Sequence, residues 1–101
     1  MGADKQSVRK EPFQMFSEKV TLVNPQGFHM RPASLLVGMV AKYDAAVTIV
    51  NGDKEIPGNS LMAIMAAGIK CGTEIEVRAE GAQEAEAGKA VVDFIASGMG
   101  D

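Results

Sequence analysis

Cysteine is almost absent from this 101-residue chain. The single thiol, Cys71, excludes an internal disulfide and points towards a reducing compartment. It precedes Gly72 in a turn, and with no second cysteine for redox exchange its reading is structural or incidental. No stretch approaches the ~20 apolar residues of a membrane-spanning helix. Lys5, Arg9 and Lys10 near the N-terminus are not followed by the apolar run of a secretory signal. An excess of positive charge is missing too: 10 Lys and Arg stand against 13 Asp and Glu, a net charge of −3. Nucleic acid and anionic lipid are therefore not expected partners, and membrane insertion is not expected. There is one histidine, His29. Without neighbouring Cys or His ligands it cannot build a typical zinc site, so no metal is expected. No G-x-S-x-G elbow accompanies it, which argues against triad hydrolysis. The chain reads as soluble and cytoplasmic.

What remains is one small globular domain. Hydrophobic residues make up 47% of the chain, enough to exclude disorder. Residues 1–17 read as a flexible leader. Met1–Gln14 is polar and aperiodic, and Met15 is a candidate original start, so the leader is either vector-derived or an alternative extension. Residues 18–101 form the domain.

Local chemistry places the elements. Lys19–Val23 is β-branched and alternating, a strand. Asn24-Pro25-Gln26-Gly27 is turn chemistry. Pro32 suits the first position of a helix that extends to about Tyr43. Ala45–Val50 is a second strand, Asn51-Gly52 a hairpin signal and Lys54–Ile56 the returning strand. Pro57-Gly58-Asn59 breaks that strand. Ser60 to about Ala67 is a short apolar helix capped by Asn59 or Ser60. Thr73–Ala79 alternates as a half-exposed strand. Gln83–Ser97 is a helix with acids in its first turn and Gly98 at its end. The order β-α-β-β-α-β-α predicts an α+β domain, with helices on one face of a mostly antiparallel sheet.

His29 lies in Gly27-Phe28-His29-Met30-Arg31-Pro32-Ala33, between a strand and a helix start. Helix N-termini present backbone N–H groups and a positive dipole end, and together these hold phosphate. The expected phosphate-binding helix start is Met30, Pro32 and Ala33. Arg31 adds a guanidinium that can clamp phosphate oxygens, and Gly27 allows close backbone approach. One segment thus supplies a nucleophile, an anion site and a cation, the parts phosphoryl transfer needs. In a loop without this context, a lone histidine would read as structural.

The G-x-H-x-R-P-A segment, the strand before it and Asn59-Ser60-Leu61-Met62 resemble the histidine-containing phosphocarrier family, HPr, of the sugar phosphotransferase system. The resemblance covers about Met15 to Ser97. It implies an open-faced β-sandwich, a four-stranded antiparallel sheet with three helices on one face. It also implies a phosphoryl carrier, not an enzyme, and no cofactor. His29 would accept phosphoryl on Nδ1 from phosphorylated Enzyme I and pass it to sugar-specific IIA components. The nitrogen branch of the family, or a dihydroxyacetone-kinase-linked carrier, shares the motif with other partners. A small metabolite-binding regulatory domain and a purely structural interaction protein are the readings from other classes. One departure stands out: Met30 occupies a position where the family usually has Ala or Thr, which bears on partner choice.

Ser60 carries two readings. One is a helix cap. The other, implied by the resemblance, is a regulatory site for an HPr kinase/phosphorylase, where added charge beside an apolar surface would hinder docking. The first helix predicts a core stripe of Ala33, Leu36, Val37 and Val40, with Leu35 and Met39 on another side. The short helix has almost no polar face. The two together exceed what one sheet face can bury, so an exposed apolar patch is expected. Its partner-binding residues are predicted as Leu35, Met39, Leu61, Met62 and Met65, methionine suiting a surface that meets several partners.

Overall fold

The computed structural model describes residues 16–99. The elements in chain order are β1 (Phe16–Thr21), α1 (Met30–Val40), β2 (Ala46–Asn51), β3 (Lys54–Pro57), α2 (Leu61–Ala67), β4 (Glu74–Glu80) and α3 (Glu84–Ala96). The four strands form one sheet in the order β1-β4-β2-β3, with every neighbouring pair antiparallel. The helices pack on one face of it: α3 lies over β1 and β4, α2 lies beside β3, and α1 touches both other helices. The expected open-faced α+β sandwich is the observed architecture.

Alternation decides which side of each strand is covered. In β4, Ile75, Val77 and Ala79 are buried, while Glu74 and Glu80 are exposed. In β2, Val47 and Ile49 turn to the same side. Leu36 and Val40 of α1, Ile64 of α2, and Val91 and Ile95 of α3 fill the layer between. The hairpin turns where expected, with Gly52 at φ +68, a left-handed conformation that glycine adopts without a steric penalty. On the open face, Glu76 accepts from the Ser17 hydroxyl and from Arg78 (Nε to Oε2 3.2 Å), and Arg78 also reaches Glu55 at 3.7 Å.

Several boundaries differ from the sequence reading. β1 begins at Phe16, so Phe16 and Ser17 belong to the sheet, not to the leader. The reason is tertiary: Phe16 packs against the core, its ring lying over Gly88 of α3 where a Cβ would collide with it. The remaining leader prediction, Met1–Gln14, lies outside the described residues. Helix α1 starts at Met30, ahead of Pro32, and stops at Val40. Its end is tightened by Lys42 N–H to Met39 O at 3.1 Å and Tyr43 N–H to Val40 O at 3.2 Å. Pro57 closes β3 instead of breaking it, opposite Thr48. Proline is tolerated there because β3 is an edge strand. Met99, beyond α3, is fully buried at φ +57.

Candidate functional site

The loop from β1 to α1 is held in place by its own backbone. Leu22 N–H donates to Thr73 O at 3.0 Å, and Gly72 N–H donates to Leu22 O at 2.8 Å, which extends the β1–β4 pairing past the strand ends. The chain then turns: Gly27 N–H reaches Asn24 O at 3.1 Å. Gly27 has φ +62, and a Cβ there would run into the Ile69 carbonyl and come within 2.8 Å of Lys70 Cα. Both conformation and space therefore require glycine at this position. Phe28 is buried, and its N–H donates to Ile69 O at 3.0 Å. The turn is pressed onto the segment that leaves α2.

His29 follows as the N-cap residue of α1, with extended backbone (φ −86, ψ −174) and no side-chain cap hydrogen bond. The imidazole is thus not used to cap its own helix. It is part-exposed and, with Pro25, Gln26 and Arg31, lines a shallow surface depression. Arg31, in the first turn of α1, is exposed. His29 and Arg31 thus border the same depression.

The residues of the expected phosphate-binding helix start, Met30, Pro32 and Ala33, differ in their surroundings. Pro32 is buried in the first turn and has no N–H to offer. The Ala33 N–H is engaged with His29 O at 3.1 Å, the first bond of the helix ladder, and Ala33 is fully buried. The first-turn amides ahead of that ladder are those of Met30 and Arg31. Met30 is 58% exposed.

Ser60 is the N-cap of α2, where its Oγ accepts from Ala63 N–H at 3.2 Å. Of the predicted partner residues, Met62 is 80% exposed, and Leu35 and Met65 are also exposed. Leu61 and Met39 are only part-exposed, because both pack against the core cluster. Leu35 and Met39 line a shallow groove with Gly38, Lys42 and Phe94, on the α3 side of α1. Met62 and Met65 belong to α2, which packs against α1.

The sequence reading gave Asn24 no role beyond turn chemistry. It is 2% exposed, and its Nδ2 donates to Gly27 O at 2.6 Å. An Asn opening a turn is a known backbone-bonding residue, and that was the available signal. Among the described residues, no helix is long and apolar enough to cross a membrane.

The match to known families decides the class. Residues 16–97 match the family described as "PTS HPr component phosphorylation site". The chain belongs to the HPr phosphocarrier family. Its fold is that of solved HPr structures: an HPr from Thermoanaerobacter tengcongensis is 34% identical, with a TM-score of 0.81 over 85% of this chain and 97% of that one. An HPr from Bacillus anthracis is 28% identical, with a TM-score of 0.77 over 80% of this chain and 96% of that one. Among curated relatives, HPr of Treponema pallidum is 32% identical over 76% of this chain and 88% of its own length. The multiphosphoryl transfer protein of Escherichia coli O157:H7 is 34% identical over 86% of this chain, and the match spans 24% of that larger protein.

Proposed function

We propose that His29 is the phosphoryl acceptor of this HPr-family chain, loaded by phosphorylated Enzyme I and unloaded to sugar-specific IIA components. The observation that carries this reading is a part-exposed imidazole at the N-cap of α1, sharing one depression with Arg31. The Nδ1 lone pair attacks phosphorus, and the phosphorus–nitrogen bond to the donor imidazole breaks. The donor ring keeps the electron pair. Both partners are phosphoimidazoles, so the step is close to balanced and runs in either direction. The chain's task is positioning and charge neutralisation, not bond-breaking power of its own. Arg31 and the first-turn amide of Met30 are read as the groups that hold the phosphoryl oxygens.

Ser60 is read as a capping residue that is also a regulatory site for an HPr kinase/phosphorylase. A phosphate on its Oγ would add charge beside exposed Met62, and a partner's apolar surface would be repelled there. Met62, Met65 and Leu35 are read as partner contacts. The domain assignment carries over with its start moved to Phe16.

The test is incubation with phosphoenolpyruvate and purified Enzyme I, followed by intact-mass measurement. One acid-labile phosphoryl group should appear, and His29→Ala should abolish it. A His29→Ala chain that still gains the group overturns the assignment. Similarity to multiphosphoryl transfer proteins favours a second reading, the same acceptor serving as one station of a longer relay. Nitrogen-branch and dihydroxyacetone-kinase-linked carriers use the same chemistry. Rates against Enzyme I homologues from each branch separate these readings.

A further inference from the structure

Inside the turn that precedes His29, two hydrogen bonds converge on one oxygen. The carbonyl of Gly27 accepts from Asn24 Nδ2 at 2.6 Å and from the His29 backbone N–H at 3.0 Å. Asn24 is 2% exposed, so its carboxamide is a fixed group rather than a mobile surface one. It is anchored twice to the same residue, because Gly27 N–H also donates to Asn24 O at 3.1 Å. On the opposite side, Ile69 O takes the Phe28 N–H at 3.0 Å. The peptide carrying Gly27 O therefore has almost no freedom to rotate, and neither does the His29 amide that hangs from it.

We infer that Asn24 is a positioning residue for the acceptor histidine, acting through the Gly27 carbonyl to fix the backbone from which the imidazole projects. The inference rests on His29 being the acceptor. The physical reason is the steep geometric demand of in-line transfer. A displacement of about 1 Å at the nucleophile can cost on the order of 100-fold in rate. Losing a buried donor beneath the carbonyl lets that peptide tilt. Asn24 is almost fully buried, so on this inference its effect belongs to the transfer step and not to docking.

The experiment measures steady-state phosphoryl transfer from phosphorylated Enzyme I to the full chain and to Asn24→Ala and Asn24→Leu, the second of which keeps the site filled. Each is assayed at a temperature where circular dichroism shows it folded. The expected result is a fall in kcat on the order of tenfold with KM for the carrier unchanged. Equal kcat for the wild type and either folded variant overturns the positioning role and leaves His29 as acceptor. A rise in KM alone also overturns it, because that is a docking defect. A wild-type chain that accepts no phosphoryl overturns both readings. Native-state hydrogen exchange of the wild type needs no variant to fold: the His29 amide should be protected, and fast exchange there overturns the clamp.

Discussion

Two glycines share a conformation but not an environment, and substituting each separates strain from collision. Gly27 has φ +62 and Gly68 has φ +61. Alanine at either position must adopt a left-handed backbone, at a cost of roughly 1–2 kcal/mol. At Gly68, the C-cap of α2, nothing lies within 4 Å of the added Cβ. At Gly27 the same atom meets the Ile69 carbonyl and comes within 2.8 Å of Lys70 Cα. These are backbone atoms, which cannot swing aside as a flexible side chain can, and the Ile69 carbonyl is already bonded to Phe28 N–H. Overpacking of this kind adds about 1–3 kcal/mol. A domain of this size loses roughly 4–8 °C per kcal/mol. Gly68→Ala should therefore lower Tm by on the order of 5–10 °C, and Gly27→Ala by on the order of 10 °C more. Thermal melts followed by far-UV circular dichroism measure both. Should Gly27→Ala be no less stable than Gly68→Ala, the packing of the turn onto the α2 exit is wrong. Phosphoryl acceptance should also slow in Gly27→Ala and stay at the wild-type rate in Gly68→Ala.

Ser60→Ala should cost about 1 kcal/mol, since the Ala63 N–H loses its acceptor; urea unfolding reads this as a lower midpoint with an unchanged slope. Hydrogen bonds from Ser17 and Arg78 hold the Glu76 carboxyl below its ordinary range. A depressed pKa gives stability that is present above the unfolded-state value and is lost as pH falls through the folded-state one. The midpoint difference between wild type and Glu76→Gln should accordingly shrink below about pH 4, and a difference that grows with acid would contradict it. Met62 is 80% exposed, so Met62→Lys should leave stability within about 0.5 kcal/mol while raising KM for Enzyme I, measured in the same transfer assay.

The order of elements was legible because each carries its own local signal. Thr73–Ala79 alternates strictly, Asn51-Gly52 has one good use, and Ser60 stands three residues before the amide it caps. What was missed depends on distant partners. Phe16 joins β1 because α3 offers it a glycine, and no property of the first residues announces that. Met99 enters the core after a helix-ending glycine, where local rules predict an exposed tail. Within the site, His29 and Arg31 could be read from spacing, since a helix start brings neighbouring residues to one mouth. α1 begins at Met30, two residues before the proline that signals a helix start, so the Ala33 N–H is already engaged with His29 O and Ala33 is buried. Leu61 and Met39 look like surface residues on a helical projection, yet the neighbouring elements cover much of each.

The depression that holds His29 is shallow and open. If His29 is the acceptor proposed above, a donor and a recipient would each meet a part-exposed ring, and each hand-over would be governed by the meeting of two surfaces. Water has the same access. A phosphoryl group carried in such an open position would be guarded by speed and not by shelter, and its delivery would have to outrun hydrolysis.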